Sequence, residues 1–454
     1  DAAAGAADAW FYILPSEREP VGRLFYTVQG EQVQAGIDPL TREALRRETL
    51  AGTGFIFPFH YSLHLKWQQL GYWLVGAAGM AMLLALITGV LVHARIFRDF
   101  FTLRVFRGGH VAKLDTHTVV GVLTLPFCLL ITLSGLIIFF HIYFPQAVQT
   151  VYVDRDAPRT AFFAEVFGGY EREAAGEHAP RRASIDAMVE RARAAWDGAE
   201  PLAVAVTHRG DRNGVVMVRR DYPDSVTRGR DMIWYDLVTG EELHRFSEAP
   251  VKTAQSWFLG FHFIQFDHWT LRWLYFAGGL GGCAVIATGF LYWLAKRRKR
   301  WQAGGVPGFR LVEGLAIGSV TGIIIATLTF FVANRLLPLG ASFAGYERAK
   351  LEVWAFYLVW LATFAHGWLR PAALAWREQC WAIAALTLLA PVLNWVTTDD
   401  HLLKTLAEGY WPVAGMDLLL LAGAGVSIYA ARKLSPAQGP DPGQASQEEA
   451  ASDA

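Results

Sequence analysis

Long apolar runs alternating with charged segments of mixed period set the plan of this chain. Seven runs, at 68–95, 118–144, 270–295, 310–334, 351–369, 378–397 and 412–431, match the about 20 helical residues that cross a ~30 Å hydrocarbon core. Segments 1–60 and 146–255 break that pattern. In the second, a polar helical stretch near 183–197 precedes strand-like alternation at Leu202–Thr207 and Val215–Val218, which predicts a small α+β domain outside the lipid. The expected fold is an all-α polytopic membrane protein with seven transmembrane helices and small α+β extracytoplasmic domains. Residues 435–454, rich in Pro, Gly, Gln, Ala and acidic side chains, cannot build a core and predict a disordered tail.

An internal repeat organises the first two thirds of the chain. Asp38, Thr41, Glu43 and Leu45 recur as Asp236, Thr239, Glu241 and Leu243, and the same offset of 198 carries His64 onto His262. After two residues of slippage, Trp73, Leu74, Gly79, Thr88 and Gly89 match Trp273, Leu274, Gly279, Thr288 and Gly289. The chain thus reads as two copies of one unit: a small domain closed by a D-x-x-T-x-E-x-L turn, a histidine, then a membrane helix. By that symmetry the helix at 118–144 should have a counterpart ahead of residue 1, so an eighth helix is expected upstream.

Charge adds orientation. The 41 basic and 41 acidic residues cancel, so nothing points to nucleic acid, and placement carries the information. Arg95, Arg98, Arg104, Arg107 and Lys113, the run Lys296 to Arg300, and Arg370, Arg377, Arg432 and Lys433 all fall on one side under alternating topology. The positive-inside rule makes that side the cytoplasm. The C-terminus is then cytoplasmic, and 1–60 and 146–255 lie outside. Cys128, Cys283 and Cys380 all sit in apolar runs, which excludes a disulfide framework and covalent haem attachment.

Histidines supply the candidate chemistry. His60 and His64 are spaced to share one helix face at the outer mouth of the first span, and His93 closes its inner end. On a continuous helix His64 and His93 would be about 43 Å apart, at opposite faces of the membrane. His117 opens the second span on the inner side and His141 closes it on the outer side; His262 and His268 precede the third. Ionisable groups beside membrane spans are costly and usually functional, and two neutral imidazoles from facing helices make a low-spin, electron-transferring haem site. Small pairs at Thr88–Gly89, Ser134–Gly135 and Thr288–Gly289 would permit close helix packing or make room for a flat macrocycle. Arg95 or Arg272 could pair haem propionates.

The stretches "FHYSLHL" (59–65), "GVLVHARIFRDFFTLR" (89–104), "LDTHTVVGVLTLPFCLLITLSGL" (114–136) and "FHFIQFDHWTLRWLYF" (261–276) closely resemble the PepSY-associated transmembrane family. The D-x-x-T-G-E-x-L turn looks like the end of a PepSY unit. The resemblance implies a bacterial inner-membrane ferric-siderophore reductase with two b-type haems, releasing Fe(II) in the periplasm. It implies His60, His64, His93, His117 and His262 as the family histidines; the repeat makes His64 and His262 the outer pair of haem-iron ligands, and the inner haem falls to His117 with His93 or with a histidine on the upstream helix. The domains then run as follows: 1–60, the end of a first PepSY-like domain; 61–145, helices one and two; 146–255, a second PepSY-like domain; 256–300, helix three; 301–434, a four-helix region; and 435–454, the tail.

No G-x-G-x-x-G after a strand, Walker A or H-E-x-x-H occurs, so electrons should arrive from a quinol or a separate cytoplasmic reductase. Asp38, Glu43, Asp236 and Glu241 read as turn residues. Two other classes compete. A PepSY module anchored by helices could bind or regulate a periplasmic protease, though an anchor needs neither seven helices nor paired histidines. A permease is disfavoured because the spans contain almost no carboxylates to form a path.

Overall fold

The computed structural model describes residues 7–17, 19–28, 31–45, 49, 53–92, 110–153, 157–179, 181–227, 229–304 and 308–434. The tail, His93 and the basic segment from Arg95 to Arg107 lie outside the described residues. Two compact units are formed, one by Asp1–Arg47, Phe59–Arg107 and Asp115–Val285, the other by Glu48–Pro58, Gly108–Leu114 and Ile286–Ala454. The main helices, in chain order, are α1 (Thr53–Ser62), α2 (Leu70–Val92), α3 (His110–Ile138), α4 (Ile185–Ala195), α5 (Pro250–Phe263), α6 (Trp269–Gly304), α7 (Phe309–Ile317), α8 (Ile323–Leu336), α9 (Arg348–Leu369), α10 (Ala372–Thr398) and α11 (Trp411–Lys433).

In the first unit, strands β1 (Trp10–Ile13), β2 (Gly22–Val28), β3 (Glu31–Ile37), β4 (Ala44–Leu45), β5 (Pro201–Thr207), β6 (Val215–Arg220), β7 (Met232–Asp236) and β8 (Glu242–Phe246) join in one antiparallel sheet, ordered β4-β3-β2-β1-β5-β6-β7-β8. The two halves meet where Trp10 pairs with Val206 and Ile13 with Ala203. Strands from both extramembranous segments therefore share one sheet. They also share a core: Trp10 and Leu24 pack in the same cluster as Val204, Val216, Ile233 and Tyr235. α4 covers this face with Met188 and Ala192, both fully buried and one helical turn apart, and Ser184 caps it by accepting from the Ala187 amide.

The repeated turn is reproduced atom for atom. Asp38 Oδ1 accepts from the amides of Leu40 (2.7 Å) and Thr41 (3.1 Å), and Asp236 Oδ1 from those of Val238 (2.8 Å) and Thr239 (2.9 Å). In each copy the threonine Oγ1 then accepts from the amide two residues on, Glu43 or Glu241. The motif is an Asx turn that reverses the chain between strands.

Among the described residues six helical stretches are long and apolar enough to cross a membrane: Trp67–Val92, His117–Ile138, Trp269–Arg298, Phe309–Leu336, Ala372–Thr398 and Trp411–Lys433. The fifth expected span, 351–369, is helical as α9, but Arg348, Lys350 and Glu352 charge its first turns and it is not among the six. Only 6% of the first span is buried against protein, compared with 56% of Phe309–Leu336, so the latter is an interior helix.

That interior helix organises the second unit. Gly314, Gly318 and Gly322 lie at four-residue spacing, and a methyl added to them would meet Trp368, Phe364 and Thr363 at 1.9, 2.1 and 2.1 Å. The missing side chains let the aromatic ladder Trp360, Phe364 and Trp368 of α9 approach the backbone. Residues Gly318–Gly322 are wound as a π-helix, and Trp360 Nε1 donates to the Gly318 carbonyl at 3.0 Å. Polar groups are buried here too: Thr321 Oγ1 donates to Gln379 Oε1, and Glu313 pairs with Arg298 and Arg310.

Candidate functional site

α1 and α5 each end on a short aromatic and histidine-bearing turn. α1 stops at Ser62, after which Leu63 (φ 49°) and His64 (φ 53°) adopt left-handed backbone; α5 stops at Phe263, followed by left-handed Ile264 (φ 54°). His60 is therefore inside a last helical turn and His64 beyond it, so the two do not share a helix face as their spacing suggested. The ring brought against His262 is that of His60: the centroids are 6.0 Å apart and the planes 30° from parallel.

Two groups of α3 hold the His262 ring. Its Nδ1 lies 3.0 Å from the Ile131 carbonyl and 3.1 Å from Ser134 Oγ on α3, while Ser134 Oγ donates to the Leu130 carbonyl at 2.7 Å. A carbonyl can only accept, so Nδ1 carries the proton and the lone pair sits on Nε2, the tautomer that ligates metals. Gly135 makes this possible, since a Cβ there would stand 2.9 Å from His262 Cε1. Desolvation, with His60 adding to it, pushes the His262 pKa down to about 4. His60 keeps accessible surface, yet the protein around it lowers its pKa in the same direction. Both imidazoles are thus neutral near pH 7.

The spacing suits a shared metal. Two metal–imidazole bonds of ~2 Å each, plus the two ring radii, span about the observed 6.0 Å. Among the described residues no cluster of three or more His, Cys, Asp or Glu is placed to hold a bare ion. A metal held by these two imidazoles would draw its remaining ligands from outside the pair, as haem iron does from its macrocycle.

The other candidates are dispersed. His117 is half-buried at the start of the second span, and His93 lies outside the described residues. The His141 ring meets Phe163 edge-on at 5.2 Å and leaves a buried Nδ1 without a hydrogen bond among the described residues. His268 Nδ1 accepts from the Leu271 amide and His401 Nδ1 from the Lys404 amide, both at helix starts. His366 Nε2 is 2.8 Å from Glu378, which also pairs with Arg370. Arg272 pairs with Asp267 and donates to the Phe266 carbonyl. Sequence reasoning passed over the Ile131 carbonyl and three buried acids of the C-terminal helices, Glu313, Glu352 and Asp417. The Ser134–Gly135 pair was legible as a small dipeptide, but not as the seat of His262.

These features define a multi-pass membrane protein whose extramembranous sheet feeds helices bearing a paired imidazole site. The chain belongs to the PepSY-associated TM region family, which matches residues 1–296. A relative, an uncharacterised protein of Pseudomonas aeruginosa, is 28% identical over 376 residues, covering 77% of this chain and 88% of its own length.

Proposed function

We propose that this protein is a haem b electron carrier of the bacterial inner membrane that reduces ferric siderophore on the periplasmic side. The observation that supports this reading is the pair of neutral imidazoles, His60 and His262, at metal-sharing distance, with His262 fixed in the ligating tautomer. When bound, haem supplies one-electron chemistry in a barrier that ions and water do not cross. His262 offers Nε2; Ile131 and Ser134 hold its ring; Gly135 gives it room. His64, just beyond α1, remains a second donor on the same strand of chain, and His117 would serve an inner haem with His93 or an upstream histidine. Electrons enter from a quinol or a cytoplasmic reductase, and the acceptor is a ferric chelate whose iron is released as Fe(II). The C-terminus is cytoplasmic in this reading.

The visible spectrum of the purified protein, with and without dithionite, tests it. A low-spin haem b spectrum is expected, with His262→Ala removing roughly half the signal of a two-haem protein and Gly135→Ala lowering haem affinity about 10–100-fold. A colourless protein from haem-replete cells would sink the reading and favour the sheet as a protein-binding module.

A further inference from the structure

His262 is carried on a segment, 260–267, that ends α5 and turns into α6. α3 holds its ring, whereas the backbone that presents the ring is gripped by the loop that follows β6. Gly260, two residues before His262, lies so close to this loop that a Cβ on it would stand 1.5 Å from the Val226 carbonyl oxygen and 2.6 Å from the carbonyl carbon. Both atoms are backbone, so no side-chain rotation could make room, and only glycine permits the approach. Beyond left-handed Ile264, the Asp267 amide donates to the Pro223 carbonyl at 2.9 Å. The Asp267 carboxylate pairs with Arg272, whose Nε donates to the Phe266 carbonyl at 2.9 Å. The loop therefore meets the segment on both sides of His262.

The loop is in turn tied to the sheet. The Asp221 amide donates to the Glu200 carbonyl at 2.8 Å, and the Arg220 amide to the Asp231 carbonyl at 3.0 Å. The Tyr222 hydroxyl donates to Asp231 Oδ2. The Arg220 guanidinium lies 4.8 Å from the centre of the Tyr222 ring, with Nη1 3.5 Å from the same carboxylate oxygen. Further along, the Ser225 and Thr227 hydroxyls share a hydrogen bond of 2.7 Å, which stiffens the loop where Val226 meets Gly260. Leu202 of β5, Arg219 of β6, and Gln265 and Phe266 of the turn line one cleft of about 370 Å³. Strand and turn are thus spaced apart beside the loop, and the loop ties them together.

We infer that the extramembranous sheet is the mount of His262, with Gly260, Tyr222 and Asp231 as positioning residues that act through loop 221–227. This rests on the reading that His262 ligates haem iron. Groups that orient a metal-bound imidazole tune both its affinity and the potential of the iron. The arrangement gives the sheet a part in setting the outer haem, through backbone contacts that leave the His262 ring itself to α3.

The test uses the full chain in detergent and reads haem content, low-spin absorbance and midpoint potential in Gly260→Ala, Tyr222→Phe and Asp231→Asn. The control is Gly279→Ala, at a helix glycine whose added Cβ meets no described residue within 4 Å. Gly260→Ala should weaken haem binding at this site about 10–100-fold, convert part of the low-spin signal to high-spin, and shift the potential. Tyr222→Phe keeps the ring under Arg220 and loses one hydrogen bond, so it should act in the same direction by about two- to tenfold. Gly279→Ala should match the wild type. In a His262→Ala background none of the variants should remove further haem, since the mount then carries no ligand. Monodisperse variants with wild-type spectrum and potential, effects fully additive with His262→Ala, or an equal effect of Gly279→Ala refute the mount. Should Gly260→Ala fail to fold, Tyr222→Phe and Asp231→Asn carry the comparison. A colourless wild-type protein refutes the haem site and the mount with it, whereas a red wild type with unchanged variants refutes the mount alone.

Discussion

The lone pair that His262 can offer is decided by atoms 128 and 131 residues away in sequence, the Ser134 hydroxyl and the Ile131 carbonyl. Its residue type was legible as a ligand candidate; its tautomer and neutrality were not, because both follow from a helix–helix contact. The same burial makes a pH prediction. Folded His262 titrates at about 4, whereas an unfolded histidine titrates near ~6.5. As pH falls through that window the unfolded state takes up a proton that the folded state refuses, so stability declines from about pH 6.5 to about pH 4 and is flat above it. Thermal unfolding followed from pH 8 downward should show this slope, and His262→Gln should flatten it. Identical slopes in the two proteins would contradict a buried neutral imidazole.

At the scale of elements, the repeated turn was readable because its signature is local: an aspartate, a threonine and three amides within one reversal. One position departs between the copies. Gly240 (φ 77°) occupies the left-handed site in the second turn, and exposed Arg42 (φ 62°) occupies it in the first. Arg42→Gly should therefore stabilise the protein by about 0.5–1 kcal/mol, through relief of left-handed strain, read as a raised unfolding temperature. Gly240→Ala should do the opposite, since its Cβ would also stand 3.1 Å from that of Ala183. The shared helix face expected of His60 and His64 failed at this scale for a related reason. Periodicity assumes an unbroken helix, and left-handed Leu63 and His64 end it without the glycine that would have announced the break. α9 shows the converse: its apolar stretch was long enough to read as a span, while the buried role of Glu352 depends on Asn334 and Thr49 from elsewhere.

For the whole molecule, the two extramembranous segments read as separate small domains because each closes on its own copy of the repeated turn. The sheet joins them through β1 and β5, which are about 190 residues apart in the chain. Both repeated turns should therefore lie on the same side of the membrane. Cysteines replacing Thr41 and Glu241 should react alike with an impermeant maleimide in cells whose outer membrane has been opened, and one replacing Lys296 should react only after the inner membrane is breached. Labelling of Thr41 and Glu241 positions from opposite sides would contradict the shared sheet.

Most spans, two strands of the second extramembranous segment, the repeated turn and the set of candidate histidines were determined by the sequence alone, since hydropathy, alternation and Asx turns are properties of neighbouring residues. Which histidine meets His262, which proton it carries, how the two halves close into one sheet and what the C-terminal helices grip were decided by tertiary structure. Each of those depends on contacts between residues far apart in the chain, and no local pattern encodes which distant carbonyl, ring or carboxylate will be waiting there.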